Sequence, residues 1–205
     1  MTLFIFSLII LILSVVIHEV AHGAVADYLG DNTAKMAGRL SLNPLKHLDP
    51  MGSVFIPLIL IIFQSPILFG WAKPVPINPA NFTDKKYGEV KVALAGPLAN
   101  FVLAFSFGMI LRFMPLTLEL YNLFSYVVFI NLILFLFNLI PIPPLDGSHL
   151  LFTFLPVSAI TREIRIFLMQ YQFFILIFVV FIVFRFLGPL IFLIYKLLVG
   201  MPLIF

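Results

Sequence analysis

The chain has 205 residues, of which 62% are hydrophobic and only 10% charged, with a formal net charge of +3 at pH 7. A soluble domain carries about 25% charged residues, so the composition excludes an ordinary water-soluble fold and leaves room for several membrane spans of about 20 residues each. The few positive charges are too scattered to indicate nucleic-acid binding and favour lipid headgroups as partner. Cysteine is absent, which excludes disulfides, thiolate nucleophiles and cysteine-based metal sites.

The first apolar segment runs from Thr2 to Tyr28 and ends at the helix-stop sequence Leu29-Gly30-Asp31-Asn32. It lacks the basic start and the small-residue cleavage site of a signal peptide, so we expect a retained first helix. A mixed polar segment follows, and then a shorter apolar stretch over 53–69 that contains Pro57 and Pro66. This stretch either crosses the bilayer or enters and leaves on the same side, and its prolines favour re-entry.

Residues 70–90 form the longest polar segment, and their prolines exclude a continuous helix. The proline-rich part, 70–80, either offers extended backbone to an unwound protein substrate or is a loop among the headgroups. Two spans are predicted after it, over 90–114 and 120–140. The second of these spans is broken by three prolines, Pro141, Pro143 and Pro144.

The remaining segments predict a short amphipathic helix at the membrane surface over 158–165 and a last span over 171–184. Arg185 and Gly188-Pro189 bend or end this span before a final apolar piece over 190–199. The sequence therefore predicts an all-α polytopic membrane protein with about five to six membrane-embedded helical segments. We expect a single integral-membrane domain over 1–205.

A metal-binding pattern, His18-Glu19-Val20-Ala21-His22, lies inside the first span. Positions i and i+4 of a helix lie on one face, so both imidazoles can reach one zinc ion. Glu19 lies beside them, where it can take a proton from the attacking water and give it to a leaving amine. The alternative is a polar helix end with incidental histidines, which is disfavoured because ionisable groups within a span are costly.

A catalytic zinc requires a third protein ligand besides the two histidines. The candidates by residue type are Asp27, Asp31, Asp49, Asp146, Glu89, Glu119, Glu163, His47 and His149. Asp146 stands out because a carboxylate at a proline-broken helix in an apolar region needs a cation or hydrogen-bond donors nearby. Simple helix capping by Asp146 is the alternative.

Three motifs in this order resemble those of the site-2 protease family of intramembrane zinc metalloproteases: His18-Glu19-Val20-Ala21-His22-Gly23, Ala95-Gly96-Pro97-Leu98-Ala99-Asn100 and Asn138…Pro141…Leu145-Asp146-Gly147. The resemblance implies one Zn²⁺ per chain, held by His18, His22 and Asp146, with Glu19 as catalytic acid and base. It implies hydrolysis of a peptide bond in or near a transmembrane segment of a membrane-spanning protein substrate.

The chain is similar to a compact prokaryotic subgroup of this family that has no PDZ or CBS domain. The shared stretches are Asn43-Pro44…His47…Asp49-Pro50…Gly52 and Gly70-Trp71-Ala72-Lys73-Pro74-Val75-Pro76. This similarity implies a multi-pass protein of a prokaryotic cell membrane, with the active site nearer the cytoplasmic side. The charge of the loops does not by itself indicate an orientation.

Three amides, Asn100, Asn131 and Asn138, lie inside predicted apolar helices. Each can form a helix–helix hydrogen bond of about 0.6–2 kcal/mol. Asn100 and Asn138 also belong to the matched motifs, so donation to a substrate carbonyl or a developing oxyanion is the functional alternative for these two. No motif supports such a role for Asn131.

Two other classes of function remain open from the sequence. A metal-binding membrane transporter would use the same histidines for ion passage, but transport sites usually combine several midplane acids with loosely held ligands. An inactive relative that acts as a scaffold is disfavoured because His18, Glu19, His22 and Asp146 are all present. Zinc flux without peptide hydrolysis would favour the transporter.

Overall fold

The computed structural model describes residues 2–63, 72–156 and 158–200, and these residues contain helices and connecting segments but no β-strand. The predicted all-α class is therefore confirmed. In chain order the helices are α1 (Thr2–Tyr28), α2 (Thr33–Met36), α3 (Ile56–Ile62), α4 (Gly88–Phe113), α5 (Leu118–Asn138), α6 (Gly147–Phe154), α7 (Ala159–Gln170) and α8 (Gln172–Val199).

The bundle is built on α1, α4 and α5, which pack against one another, and α8 lies against α4 and α5. Where α4, α5 and α8 meet, buried side chains form an apolar cluster: Ala104, Leu111, Val128, Leu132, Leu187, Ile191, Tyr195 and Val199. Lipid tails are as apolar as these side chains, so close van der Waals packing rather than the hydrophobic effect holds this cluster together.

Three described helices are long and apolar enough to cross a membrane, namely Ile5–Tyr28, Gly88–Phe113 and Leu118–Asn138. A fourth span results if α7 and the first part of α8, which are bent by 75° relative to each other, are counted as one. The protein is thus a multi-pass membrane protein. The larger predicted number of five to six embedded segments stays a prediction.

The predicted first, third and fourth apolar segments agree with α1, α4 and α5 to within about two residues, which is the usual scatter of helix ends. The stretch 53–69 differs, since a π-helical turn over Pro50–Phe55 leads into a short α3. Their combined length is at most about 20 Å, less than the roughly 30 Å of a bilayer core. Residues 64–69 lie outside the described residues, so crossing and re-entry both remain open.

The carboxyl-terminal third departs from the prediction at one point. The amphipathic helix is found as α7, which begins after a capping box formed by Ser158 and Thr161. Of the two alternatives at Arg185 and Gly188-Pro189, an end of the span is wrong, because α8 continues through Pro189 to Val199. Membrane helices tolerate proline because neighbouring helices and local adjustments satisfy the freed backbone groups. A bend at these residues stays a prediction.

Candidate metal centre

Two histidines one turn apart on α1 form the base of the site. The side chains of His18 and His22 are buried, each in a residue only 7% exposed, and their Nε2 atoms are 3.0 Å apart. His22 Nδ1 donates a hydrogen bond of 2.7 Å to the carbonyl of Val92 on α4. A carbonyl only accepts, so His22 carries its proton on Nδ1 and presents the lone pair of Nε2 to the site.

Asp146 brings a carboxylate to these two nitrogens from 124 residues beyond His22 in the numbering. Its Oδ2 lies 3.1 Å from His18 Nε2 and 3.3 Å from His22 Nε2. The capping alternative is wrong, since Asp146 precedes α6 but its side chain makes no capping hydrogen bond. The turn also needs Gly147, because a Cβ there would lie 2.5 Å from the carbonyl oxygen of Ile140.

The three ligand atoms fit a zinc ion. Ligands 2.0–2.1 Å from one ion in a tetrahedral arrangement lie about 3.3–3.4 Å apart, and the observed separations are 3.0, 3.1 and 3.3 Å. Asp146 Oδ2 is buried and accepts no hydrogen bond from the described residues. A carboxylate oxygen and the lone pair of His22 at this distance repel each other unless a cation lies between them.

Gly96 on α4 provides the space that the cluster needs. A Cβ at this position would lie 2.6 Å from Nε2 of His18 and closer still to Nε2 of His22. Real Cβ contacts are not this short, so any side chain here displaces the ligands. The glycine of the second motif therefore allows α4 to approach the metal-binding face of α1 closely.

Glu19 lies beside the histidines and contacts a different part of the chain. Its Oε2 accepts a hydrogen bond of 2.8 Å from the backbone N–H of Val75. Val75 belongs to segment 72–78, which forms neither helix nor strand and precedes the short turn Pro79–Asn81. The segment and the ligands line a cleft of about 340 Å³, together with Glu89, Asn138 and His149. The prediction that prolines exclude a continuous helix over 70–90 is confirmed for the described residues of this segment, since α4 begins only at Gly88.

Asp31 anchors that segment, a role the sequence did not reveal. Its buried carboxylate accepts hydrogen bonds from the backbone N–H of Asn78 at 2.7 Å and from Asn81 Nδ2 at 2.9 Å. It also accepts from the backbone N–H and the hydroxyl of Thr33. Burial alone raises the pKa of Asp31, but the bonds from Thr33, Asn78 and Asn81 outweigh burial and hold the pKa below its ordinary value.

The three amides have different surroundings. Asn100 is fully buried, with Oδ1 2.6 Å from His18 Nδ1 and Nδ2 bonded to Asn131 and to the carbonyl of Ser14. Asn131 thus makes the predicted helix–helix hydrogen bond. Asn138 lines the cleft, and its Nδ2 donates to the carbonyl of Leu134. Only Asn138 of the three is open to the cleft.

The other candidate ligands lie outside the cluster of ligand atoms found among the described residues. Asp49 accepts from the N–H groups of Met51 and Gly52, as a turn-capping residue does. His47 is buried and bonds to the carbonyl of Ser41.

The remaining candidates lie on the cleft wall or at the surface. His149 faces Glu89 at 3.6 Å on the cleft wall. Asp27 pairs with Lys35, and Glu119 and Glu163 are exposed.

The chain is similar to known metalloproteases. The model of peptidase family M50 matches residues 115–179. The protein "Putative zinc metalloprotease YwhC" of Bacillus subtilis is 42% identical over 160 residues, which cover 74% of this chain and 69% of the relative. "Putative zinc metalloprotease Rip2" of Mycolicibacterium smegmatis is 32% identical over 138 residues, 66% of this chain and 52% of that protein.

An archaeal relative, "Zinc metalloprotease MJ0392" of Methanocaldococcus jannaschii, is 34% identical over 79 residues, 38% of this chain and 23% of the relative. No solved structure matches the chain. The bacterial and archaeal relatives agree with the predicted prokaryotic origin, and their names agree with zinc as the metal. The chain therefore belongs to peptidase family M50, the site-2 protease family of zinc metalloproteases.

Proposed function

We propose that this metalloprotease hydrolyses peptide bonds in or near transmembrane segments of membrane proteins. His18, His22 and Asp146 are the zinc ligands, and Glu19 is the catalytic acid and base. One observation carries the proposal: the three ligand atoms converge inside a bundle of membrane-spanning helices. His22 lies only about 9 Å along the helix axis from the end of α1, so water and polypeptide can reach the site from the nearer membrane surface.

Zinc, when bound, supplies Lewis acidity that brings the pKa of a water to about 7 and polarises a peptide carbonyl. Side chains and backbone groups of the protein supply proton transfer and ligand orientation. The bond from Val75 holds one oxygen of Glu19, and the carboxylate takes the proton of the attacking water and then delivers it to the leaving amine. The bond from His22 to Val92 keeps that imidazole in the tautomer that binds metal.

The cleft walls support a substrate that enters in extended form. A helical peptide bond is shielded by its own hydrogen bonds, so a substrate must unwind before it is cleaved. Segment 72–78 is not helical and lines the cleft through Pro74, Val75 and Ile77, so it can align such a peptide. We assign contact with the substrate carbonyl to Asn138 rather than Asn100, because only Asn138 lines the cleft.

The distribution of basic residues supports a cytoplasmic position for the end of the bundle that holds the metal site. Half of the basic residues lie between α1 and α4, on the segments that surround the site: Lys35, Arg39, Lys46, Lys73, Lys85 and Lys86. Near the opposite end, Arg112 donates to the carbonyl of Leu197, next to Lys196. Because basic residues favour the cytoplasmic side, we place the metal site nearer the cytoplasm.

The cysteine-free sequence makes this orientation testable. A single Lys86→Cys substitution should react with an impermeant maleimide only after the cells are permeabilised, whereas Lys196→Cys should react in intact cells. Both side chains are exposed in the structure. The reverse labelling pattern would contradict the proposed side of the membrane without bearing on the chemistry.

The proteolytic role is tested with full-length protein in liposomes and a panel of single-span peptides, with products identified by mass spectrometry. Glu19→Gln should lower the cleavage rate by about 10²–10⁴-fold, the usual contribution of a general acid–base, while zinc content stays at the wild-type level. Glu163→Gln on exposed α7 is the matched control and should leave the rate unchanged.

Cleavage of these peptides by Glu19→Gln at the wild-type rate would refute the assigned role. Zinc flux into the liposomes without cleavage of any peptide would support the transporter alternative instead. His22→Ala completes the set, because it should lose both bound zinc and cleavage, whereas Glu19→Gln should lose cleavage alone.

A further inference from the structure

A chain of side-chain hydrogen bonds connects α5 to the metal ligand His18. His18 Nδ1 lies 2.6 Å from Asn100 Oδ1, and Asn100 Nδ2 lies 2.9 Å from Asn131 Oδ1. Asn131 Nδ2 in turn lies 2.9 Å from the carbonyl oxygen of Val127 and 2.9 Å from Ser14 Oγ. Both amides are 0% exposed, so no solvent competes for these contacts.

Two backbone carbonyls fix the direction of every bond in this chain, that of Val127 at Asn131 and that of Ser14 at Asn100. A backbone carbonyl accepts and never donates, so the group of Asn131 that faces Val127 is the amide nitrogen. Asn131 Oδ1 then faces Asn100, which must present its own nitrogen there. The oxygen of Asn100 is left to face His18, and only a protonated Nδ1 can bond to it. The Nε2 lone pair of His18 is thereby directed to the metal position.

We propose that Asn131 is a positioning residue that, together with the carbonyl of Ser14, fixes the tautomer of His18 through Asn100. This inference rests on the proposed assignment of His18 as a zinc ligand. Asn131 acts at a distance, since it touches neither the cleft nor the cluster of ligand atoms. Outer partners of metal-binding histidines that fix ring orientation typically change metal affinity about 10–100-fold when they are replaced.

His22 provides an internal reference within the same site. Its Nδ1 donates directly to the carbonyl of Val92, so its tautomer depends on no side chain. A loss that acts through the amide chain must therefore change His18 and leave His22 unchanged. General damage to the fold changes both histidines.

The first measurement is ¹⁵N NMR of the histidine rings in the zinc-loaded protein. Wild-type His18 and His22 should both carry their proton on Nδ1. In Asn131→Leu, which removes both polar ends of the side chain at similar volume, the Nδ1–H signal of His18 should shift while that of His22 keeps its position. The inference is overturned if zinc-loaded wild-type His18 carries no proton on Nδ1, a result that requires no variant to fold.

The second measurement is zinc affinity by competition with a chelator. Asn131→Leu should bind zinc about 10-fold more weakly, at the lower end of the usual range because Asn100 still donates to the carbonyl of Ser14. Asn122→Leu, the matched control on the same helix, should bind like the wild type. Ser14→Ala should also stay within about twofold, since Asn131 still donates to Val127.

A fall in zinc affinity with the Nδ1–H signals of both histidines unchanged would assign Asn131 a merely structural role and overturn the proposal. Failure of the wild type to bind zinc would instead refute the proposed metal site on which this inference rests.

Discussion

The two halves of α4 are held in different ways. Its first half, from Gly88 to Asn100, faces the metal site and makes directed polar contacts: the Val92 carbonyl to His22 and the Asn100 amide to His18. Its second half lies in the apolar cluster with α5 and α8, where the buried hydrogen bond of 2.8 Å between Ser125 and Tyr195 does not involve α4. The buried contacts of the first half are therefore specified by the direction of hydrogen bonds and those of the second half by shape.

This difference separates function from stability within one helix. Van der Waals packing tolerates small shifts and changes in side-chain volume, whereas a ligand set for zinc requires distances within a few tenths of an ångström. Substitutions in the first half of α4 should therefore impair metal binding before they impair the fold. Substitutions in the apolar cluster should do the reverse.

The largest expected effect is the loss of zinc affinity when one methyl group is added to α4 at Gly96, and the same change at Gly108 is its control. Gly96→Ala places a Cβ 2.6 Å from His18 Nε2 and should reduce zinc affinity by at least the roughly 100-fold seen when ligand geometry is lost. Gly108→Ala places its Cβ 3.2 Å from a side-chain carbon of Leu198, which can move slightly, so zinc affinity should stay unchanged. Equal losses in the two variants would contradict the division of α4.

An intermediate effect is expected in the apolar cluster. Leu132 is 0% exposed, and Leu132→Ala should lower the free energy of unfolding in detergent by about 2–5 kcal/mol through lost packing. The zinc affinity of the folded fraction should remain that of the wild type. A large drop in zinc affinity at unchanged stability would show that the two halves are coupled.

The smallest effect concerns the stability contributed by Asp31, whose carboxylate connects Thr33, just after α1, to Asn78 and Asn81, just before α4. Since its pKa is lowered in the folded protein, its stabilising contribution is present above the ordinary pKa of about 3.9 and is lost as the pH falls through the folded value. Asp31→Asn should cost about 1–3 kcal/mol at pH 7, and the difference from wild type should shrink on acidification. Unfolding curves between pH 7 and pH 3 measure this.

Asp84→Asn is the control for that experiment. The pKa of Asp84 is also lowered, mainly by the hydrogen bond from Lys91, but this carboxylate lies at the surface. Solvent and salt screen such a pair, so the substitution should have little effect on stability at any pH. A pH dependence as strong as that of Asp31→Asn would contradict the importance of burial at Asp31.

The sequence was sufficient for α1, α4 and α5 and for the two histidines of the cluster, because long apolar runs and an i, i+4 histidine pair each have one simple structural meaning. It could not distinguish helix capping by Asp146 from an approach to these histidines, since both place a carboxylate just before a helix. That choice depends on how α6 lies against α4, which is a tertiary contact. The sequence also could not decide whether the last span ends or continues at Pro189, because that depends on neighbouring helices.

The contacts of Asp31 and Asn131 were also beyond sequence patterns. Asp31 follows a helix stop, where an acidic residue is common, and its distant partners Asn78 and Asn81 lie about 50 residues away in the chain. Asn131 and Asn100 are on different helices, and their pairing requires knowing how α4 and α5 are rotated. Helix rotation about its axis is poorly encoded when nearly every side of the helix is apolar.

The hydrogen bond between Glu19 and Val75 has a consequence for engineering this protease. Pro74 and Pro76 flank Val75 and have no N–H, so within 74–76 only Val75 can donate to the carboxylate. Substrate alignment and proton transfer thus share one backbone amide. Under the proposed mechanism, a variant selected for a new peptide through changes at 74–76 would alter turnover as well as binding, so selectivity and speed would have to be optimised together.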